Sequence, residues 1–303
     1  MNHDVAVAWN WEHDEAFVAD LERACGHLGL TFRSVTPANV ESFLAPAAAR
    51  DVRWSVLLDR AWESDERFLR LNGLVAASGT RILNPVERSL RMGNKATVHA
   101  LLQEMCLQVP RLVEFMPEQY SEEELALATR GWKRPLWLKP ASGGGGDGVL
   151  ALKELPARFP HETEWLKERF VLQENAEPLV IEGRPAWFRV IHVFGTIHPF
   201  WWHPTTHMFA PVTPQEIGDY GLACVSSAAA AVAAVAGLEI FSSEYSLIAP
   251  GVPLVIDPVN DPVDFRRRSQ APDAIPDSSL VAMIEALTSG IASLLGRVKP
   301  APA

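Results

Sequence analysis

The chain has 303 residues, of which 48% are hydrophobic and 21% are charged, so it can form a globular protein with a large core in two or three structural units. Its formal net charge of −10 argues against a nucleic-acid-binding surface, because such a surface needs clustered positive charge. The three cysteines (Cys25, Cys106 and Cys224) are scattered, so they indicate neither a metal site nor a disulfide framework and favour a reduced, cytoplasmic setting.

The first 85 residues alternate short apolar runs with stretches of helical periodicity. Strands are predicted for the apolar runs, at 5–9, 31–35, 54–59 and 81–84. Helices are predicted at 14–28 and 63–77. This alternation favours a small parallel α/β unit. We expect no signal peptide, because the first residues lack a basic region followed by an apolar stretch.

Capping signals define the next segment. Residues 85–93 are predicted to be a connection, after which Asn94 can cap a helix over 95–106. Ser121 and Glu124 form a capping-box pattern that opens another helix. Further elements are predicted from the apolar patterns, as strands at 111–115, 136–139 and 149–152 and a helix at 162–168.

The rest of the chain is rich in predicted strands. They lie at 170–174, 187–194, 197–202, 238–247 and 254–257. The alanine-rich stretch at 223–238 is shorter than the ~20 residues of a membrane span, so we expect a buried helix there and no membrane segment. A final helix is predicted at 278–295.

A glycine-rich segment follows the predicted strand that ends at Lys139. Ser142 and Gly143–Gly146 leave the backbone almost bare, and glycine lets main-chain N–H groups approach a ligand closely. Successive bare N–H groups bind anions, and the nearby Lys139 adds a point charge suited to phosphate. The segment therefore predicts a flexible loop that closes over nucleotide phosphates.

Other phosphate loops are alternatives for this segment. Gly143, Gly145 and Gly148 match G-x-G-x-x-G, but the residues that follow resemble a strand, whereas a dinucleotide-binding turn opens a helix. The Gly-Lys-Ser/Thr ending of a Walker A loop is missing, as are the H-R-D and D-F-G motifs of protein kinases. A plain flexible hairpin or linker stays open on this segment alone.

Two carboxylates lie on the arms of the last predicted hairpin. Glu244 and Asp257 can face the same side of the hairpin, and Asn260 follows closely. Carboxylate and amide oxygens at one spot suit Mg²⁺, which takes few protein ligands together with water and phosphate oxygens. The alternative is a solvent-facing Glu244 and a turn at Asp257. Polar residues at the end of an apolar strand favour the functional interpretation.

Four further residues are polar and are candidates for the site. Arg189 lies within an apolar strand, so it is a candidate for holding a phosphate or acyl phosphate, or for pairing with Glu174 or Glu182. Lys95 stands near a predicted helix N-terminus, against the helix dipole, which indicates either an anionic ligand or a solvated surface lysine. Gln173 and Glu174 are candidates for an adenine amino group and a ribose hydroxyl, or form an ordinary strand end.

Histidines and tryptophans cluster after the long apolar strand. The spacing of His198, His203 and His207 makes zinc conceivable, but the prolines between them break any helix that would align them. An aromatic-lined acceptor pocket around Trp201 and Trp202 is the favoured interpretation, and structural packing of these tryptophans is the alternative. The three arginines at 266–268 would make such a pocket tolerant of anions.

The order of these pieces resembles the ATP-grasp superfamily over nearly the whole chain. The shared features are a lysine before a helix, a strand that ends in lysine, a glycine-rich loop, a hinge with a glutamate, a strand arginine, and a hairpin of carboxylates closed by an asparagine. They correspond to Lys95, Lys139, Gly143–Gly148, Gln173 and Glu174 with Glu182, Arg189, and Glu244, Asp257 and Asn260. The resemblance implies a mixed α/β (α+β) fold in which an N-terminal α/β pre-grasp domain precedes two α+β subdomains that bind ATP between them.

The resemblance also implies an activity, that of an ATP-dependent, ADP-forming carboxylate–amine ligase with ATP and Mg²⁺ as cofactors and a small-molecule carboxylate and amine as substrates. It assigns catalytic roles to Lys139 and Arg189. The implied nucleotide-binding residues are Lys95, Lys139, Ser142, Gly143, Gly144, Gly145, Gly146, Gln173, Glu174 and Glu182, and the implied metal ligands are Glu244, Asp257 and Asn260. A small-molecule kinase on the same fold and a nucleotide-binding regulatory protein are the alternatives, and a homo-oligomer stays open.

The resemblance divides the chain into three expected domains. They are the pre-grasp domain at 1–85, a small subdomain with the glycine-rich loop at 86–172, and a C-terminal subdomain with the metal-binding hairpin at 173–303. One departure concerns the asparagine: the family pattern is Glu-x-Asn, whereas Asp257 and Asn260 are one residue further apart. Asp261 or Asp264 is therefore a candidate replacement for one metal ligand.

Overall fold

A computed structural model of the chain describes residues 2–119, 121–143, 148–156 and 169–297. Its first part is a parallel sheet in the order β2-β1-β3-β4. The strands are β1 (Asn2–Ala8), β2 (Phe32–Val35), β3 (Arg53–Asp59) and β4 (Arg81–Leu83). The connecting helices are α1 (Glu15–His27), α2 (Glu41–Ala48) and α3 (Glu66–Ala76). The predicted parallel α/β arrangement is confirmed, and α2, an alanine-rich helix that contains Pro46, is an addition to it.

Alternation along β1 explains why this sheet is buried on both faces. Val5 and Val7 belong to one core cluster, which also contains side chains of α1 and of the last helix. Ala6 and Ala8 belong to another, together with side chains of α2 and α3. Successive side chains of a strand point to opposite faces, so the continuous apolar run of β1 fits a strand covered on both sides.

Residues 86–93 form a helix, α4 (Val86–Gly93). The prediction of a connection at 85–93 was therefore wrong. Ser89 and Met92 of α4 are buried three residues apart, on one face of the helix. The guanidinium of Arg88 donates to the carbonyls of Val235 and Ala236. The helix therefore depends on contacts far away in the chain, which its short and mostly polar sequence does not reveal.

The next helix begins as predicted. Asn94 caps α5 (Lys95–Glu104) by accepting a hydrogen bond from the backbone N–H of Thr97, at 2.9 Å. Ser121 likewise caps α6 (Glu122–Ala128) by accepting from the N–H of Glu124. Both predicted caps are thus confirmed. Each satisfies one of the N–H groups that the first turn of a helix leaves without a partner.

An antiparallel sheet in the order β5-β8-β6-β7 follows α5. Its strands are β5 (Leu112–Phe115), β6 (Leu136–Pro140), β7 (Leu150–Leu152) and β8 (Phe170–Gln173). The predicted strands in this part are confirmed within a few residues. The helix predicted at 162–168 and the glycines Gly144–Gly146 lie outside the described residues.

A larger antiparallel sheet in the order β13-β12-β11-β14-β15 forms the C-terminal part, beside a two-stranded ribbon. The ribbon pairs β9 (Val180–Ile181) with β10 (Arg184–Pro185). The sheet strands are β11 (Trp187–Val193), β12 (Thr196–Trp202), β13 (Phe209–Pro211), β14 (Ile240–Ala249) and β15 (Val252–Asn260). The helices are α7 (Pro214–Asp219), α8 (Ala223–Ala236) and α9 (Asp277–Leu294).

The helices of this part cover the large sheet. The small side chains of α8 pack against β11, β12, β14 and β15, and α9 packs against α1 and β11. The alanine-rich stretch is therefore a buried helix, as predicted, and it ends at Gly237 in the left-handed conformation. Within the described ranges, no helix is both long enough and apolar enough to cross a membrane.

Candidate nucleotide and metal site

A cavity of about 680 Å³ lies between the smaller antiparallel sheet and the β14–β15 hairpin. It is lined by residues that are far apart in the chain but were predicted as one site. These are Lys95, Lys139, Ser142, Gly143, Gln173, Arg189, Glu244, Asp257 and Asn260. Its volume lies within the range of about 300–1,000 Å³ that is usual for small-molecule and cofactor sites.

Lys95 forms one part of the cationic wall. It is the first residue of α5, and it is buried. Its Nζ donates to the carbonyl of Gly143, at 2.6 Å, and its backbone N–H donates to the carbonyl of Ala141, at 2.7 Å. Burial lowers the pKa of Lys95; the charge of Asp257 opposes this shift, and that of Lys139 adds to it. The helix terminus is thus tied to the start of the glycine-rich segment.

Lys139 forms the other part of the cationic wall. Along β6, Leu136 and Leu138 belong to a hydrophobic core cluster, whereas Trp137 and Lys139 line the cavity. The alternation of a strand therefore places Trp137 and Lys139 on the cavity side. Lys139 is only 9% exposed, and its Nζ has no hydrogen-bond partner among the described residues. Its ammonium group lies in the wall of the cavity, where it suits an anionic ligand.

The acidic hairpin lies on the other side of the cavity. Glu244 of β14 and Asp257 of β15 are direct cross-strand partners, and Asn260 is opposite Ser242. The ladder shifts register on both sides of Glu244. Such bulges re-aim side chains, so that Glu244, Asp257 and Asn260 all reach the cavity although Asp257 and Asn260 are three residues apart.

Burial controls the chemistry of these groups. It raises the pKa of Glu244, and while Arg189 opposes this shift, the negative charge of Asp257 adds to it. The Nδ2 of Asn260 is buried and has no hydrogen-bond partner among the described residues. The hairpin thus presents a carboxyl whose ionisation burial opposes and, beside it, an amide N–H group that lacks an acceptor within the described residues.

Arg189 bridges the hairpin and the cavity. Its Nη1 lies 3.3 Å from Oε1 of Glu244, its cross-strand neighbour. Its Nε and Nη2 donate to the hydroxyl of Ser242, at 3.2 and 3.0 Å. The guanidinium also lies over the ring of Trp202, 5.4 Å from its centroid. Pairing of Arg189 with Glu174 or Glu182, which the sequence left open, is therefore wrong.

The structure does not bring Glu174 and Glu182 to the cavity lining. The carboxylate of Glu174 accepts from the Arg111 guanidinium, at 2.8 and 2.5 Å, and from the N–H of Lys133. Glu182 lies in the turn of the β9–β10 ribbon, and its carboxylate hydrogen-bonds to the hydroxyl of Tyr220. Both carboxylates thus have protein partners, whereas Gln173 lines the cavity.

The candidate replacement ligands for the metal also lie outside the main cavity. Asp261 accepts a hydrogen bond from the hydroxyl of Ser89, at 2.6 Å. Asp264 pairs with Arg266, at 2.8 Å. The structure therefore keeps Asp257 and Asn260 as cavity-lining residues despite the longer spacing between them, because the bulged ladder absorbs the extra residue.

The histidine cluster does not converge on a metal. Across the described ranges, no group of three His, Cys, Asp or Glu side chains could hold a metal ion. Nδ1 of His203 instead accepts from two backbone N–H groups of its own turn, those of Thr205 and Thr206. His207 stacks on Trp202 with a ring-centroid separation of 5.5 Å.

The two tryptophans of the expected acceptor pocket have different roles. Trp202 lines the cavity, whereas Trp201 is buried in the core, where it packs on Phe188 and donates to Glu216. The arginines at 266–268 are tied up by protein groups rather than free for anions. Their partners are Asp264 and Asp273 for Arg266, Asp20 for Arg267, and the carbonyls of Phe209 and Ala274 for Arg268.

Several cavity residues were not predicted from the sequence. Trp137, Asn175, Trp187 and Ile256 line it, and Nε1 of Trp137 donates to Oδ1 of Asn175, at 2.9 Å. Trp137 had a detectable signal, because it is two residues from Lys139 on a predicted strand and therefore shares its face. Asn175 had none, since it lies in an irregular segment after β8.

No family model and no curated protein sequence matches the chain, but solved structures do. The D-cycloserine synthetase DcsG superposes with a TM-score of 0.64 at 16% identity, over 95% of this chain and 99% of that one. The ATP-grasp ligase PsnB, complexed with a minimal precursor, Mg and ADP, superposes with a TM-score of 0.62 at 14% identity, over 97% of this chain and 98% of that one. D-alanine–D-alanine ligase from Bacillus anthracis, complexed with ATP, superposes with a TM-score of 0.60 at 16% identity, over 98% of each chain.

These superpositions cover the chain almost from end to end. They show that it has the ATP-grasp fold, which confirms the fold that the motif order implied.

Proposed function

We propose that this protein is an ATP-dependent ligase that joins a carboxylate to an amine through an acyl-phosphate intermediate. The observation that carries the proposal is the opposition, within one cavity, of the buried Lys95 and Lys139 to Glu244, Asp257 and Asn260. Lysines suit phosphate oxygens, and carboxylates suit the cation that accompanies them. The ATP-grasp ligase PsnB, complexed with Mg and ADP, and D-alanine–D-alanine ligase, complexed with ATP, support the same class.

The nucleotide lies, in this proposal, between the subdomains at 86–172 and 173–303. Lys95, Lys139, Ser142 and the bare backbone from Gly143 onward bind its phosphates. Gln173 lies at the end of β8, and the Oε1 of its buried side chain lacks a partner among the described residues. An adenine amino group is the kind of donor that would satisfy this oxygen. Trp187, Ala176 and Ile256 line the same cavity and supply apolar surface for the base.

The hairpin residues fit Mg²⁺. Two carboxylates and an amide are oxygen donors, and Mg²⁺ in nucleotide sites takes one or two carboxylates and completes its shell with water and phosphate oxygens. Burial and the negative charge of Asp257 raise the pKa of Glu244, and a cation bound by both carboxyls would relieve their repulsion. Glu244, Asp257 and Asn260 would hold the ion, which when bound neutralises phosphate charge.

The residues of the chain would then act as follows. A substrate carboxylate oxygen attacks the γ-phosphorus of ATP, the bond to the β-phosphate oxygen breaks, and ADP leaves. Arg189 and Lys139 stabilise the negative charge on the transferring group. An amine attacks the acyl carbon, loses a proton, and displaces inorganic phosphate to leave an amide. The partly enclosed cavity limits the access of water, which would otherwise hydrolyse the acyl phosphate.

The proposal is tested by ATP turnover with panels of carboxylates and amines, with ADP, phosphate and products quantified by enzymatic assays and mass spectrometry. A ligase releases one phosphate for each amide formed. ADP with a phosphorylated product and no free phosphate would instead identify a small-molecule kinase. Titration calorimetry with MgATP that showed no binding would refute the nucleotide site itself.

A further inference from the structure

A second, smaller cavity of about 70 Å³ adjoins the main one. The two share Arg189, Trp202 and His207, so they meet at the guanidinium that the proposed mechanism places beside the acyl phosphate. The remaining lining of the smaller cavity is partly apolar and partly charged. It consists of Ile191, Phe209, Ser242, Val263, Asp264, Arg266 and Asp273.

The charges of the smaller cavity do not balance. Arg266 is salt-bridged to two carboxylates at once, with its Nη2 2.8 Å from Asp264 and 3.1 Å from Asp273. Arg189 is already paired with Glu244 of the main cavity. With a neutral His207, which also lines this cavity, one guanidinium serves two carboxylates and leaves about one negative charge. The pKa of Asp273 is lowered, with the hydrogen bond from Arg266 as a cause, so this carboxyl stays ionised.

These carboxylates keep room for a further donor. The side chains of Asp264 and Asp273 are 42% and 35% exposed, so Arg266 does not cover them. A carboxylate offers about four lone-pair sites, more than the hydrogen bonds from Arg266 fill at either residue. The volume limits what can enter beside Ile191 and Phe209 to a small group. The smaller cavity therefore suits a small cationic group, because its carboxylates can still accept hydrogen bonds.

Building on the ligase function proposed above, we propose that Asp264 and Asp273 select an amino acid as the activated substrate by binding its ammonium group. The carboxylate of the same molecule then reaches Arg189, where the two cavities meet. Arg266 is a positioning residue that orients both carboxylates. A carboxylic acid without the amine would leave the negative charge of this cavity unpaired and would bind less well.

The test uses the full chain with MgATP and hydroxylamine as a small acceptor, which converts an acyl phosphate to a hydroxamate and free phosphate. The probes are glycine, the nineteen other standard amino acids in their L and D forms, and β-alanine, each paired with its deaminated acid, such as alanine with propionate. We expect hydroxamate from at least one amino acid, with kcat/KM lower by about tenfold or more for its deaminated partner.

Variants then assign the selectivity to the two carboxylates. Asp273→Asn and Asp264→Asn should each raise KM for the amino acid about tenfold while leaving kcat and the affinity for the ATP analogue AMP-PNP almost unchanged. Asp20→Asn is the matched control, because Asp20 pairs with the neighbouring Arg267 but lines neither cavity. It should leave KM unchanged.

Three results would overturn the inference while the nucleotide site stood. The first is equal use of the amino acids and their deaminated partners, and the second is an unchanged KM in both asparagine variants. The third is that no amino acid gives hydroxamate although the protein binds AMP-PNP. Absence of AMP-PNP binding in the unsubstituted protein would instead refute the function on which the inference rests.

Discussion

Arg189 and Glu244 are direct partners across the β11–β14 ladder, and both line the cavity that also contains the two buried lysines. The pair fixes the guanidinium where the transferring group would lie, since Ser242 holds the other two nitrogens of the same side chain. A strand arginine in an apolar run is thus explained by a partner on the next strand and by the cavity in front of it.

Arg189→Met should reduce turnover much more than nucleotide binding. The methionine keeps much of the apolar stem but removes the charge that stabilises the transition state, so kcat should fall by roughly 10²- to 10³-fold. The affinity for AMP-PNP should change by less than about threefold, as expected for an interaction made in the transition state. Single-turnover kinetics and calorimetry measure the two effects, and an equal loss in both would contradict this role.

Lys139→Met should weaken nucleotide binding directly. A charged hydrogen bond contributes about 1.5–3 kcal/mol, so the Kd for MgATP should rise roughly 10- to 100-fold. Lys133→Met is the matched control, because Lys133 pairs with Glu177 at the surface and lies outside the cavity. The Kd of Lys133→Met for MgATP should equal that of the unsubstituted protein. An equal effect of both substitutions would point to net charge rather than to a specific contact.

Asp59 should make stability depend on pH. Burial raises the pKa of this carboxyl to about 6, although hydrogen bonds from Asn72 and the backbone oppose the shift. The folded protein therefore holds this proton more tightly than the unfolded chain, whose aspartate pKa is near 3.8. The stability contribution of Asp59 is complete below about pH 4 and is lost as the pH rises to about 6 and beyond.

Asp59→Asn isolates this effect, because asparagine imitates the neutral acid. The free energy of unfolding of the variant, relative to the unsubstituted protein, should increase by up to roughly 3 kcal/mol between pH 4 and pH 7. Urea unfolding at several pH values, followed by circular dichroism, measures this difference. A constant or falling difference would show that Asp59 ionises as freely in the folded state as in the unfolded chain.

Two helical glycines should respond oppositely to alanine. A Cβ at Gly290 of α9 would overlap the ring of Phe194, so Gly290→Ala should cost about 1–3 kcal/mol. Gly73 of α3 is exposed and has no atom near the position of a Cβ, so Gly73→Ala should stabilise by about 0.5–1 kcal/mol. Thermal unfolding of both variants tests the pair. Stabilisation by both substitutions would show that helix propensity outweighs packing at Gly290, and destabilisation by both would contradict the prediction for Gly73.

Local signals in the sequence predicted the elements well where the pattern was strong. The apolar run of β1, the caps Asn94 and Ser121, and the alanine-rich α8 all formed as expected. The helix α4 was missed, because Ser89 and Met92 are buried only through distant parts of the chain. Glu174 and Glu182 were assigned to the nucleotide because a sequence does not show that Arg111 and Tyr220 provide protein partners for them.

The sequence by itself determined the types of residue available for chemistry and their order along the chain: two lysines, a glycine-rich segment, a strand arginine and an acidic hairpin. Only the tertiary structure decided which of these residues share a cavity, because strand register, the bulges at Glu244 and the alternation of β6 orient the side chains. The tertiary structure also created the second cavity, since Asp264, Arg266 and Asp273 meet Arg189 only after the loop following β15 folds back onto the large sheet. Local propensity acts over a few residues, whereas burial and charge pairing depend on contacts between residues far apart in sequence.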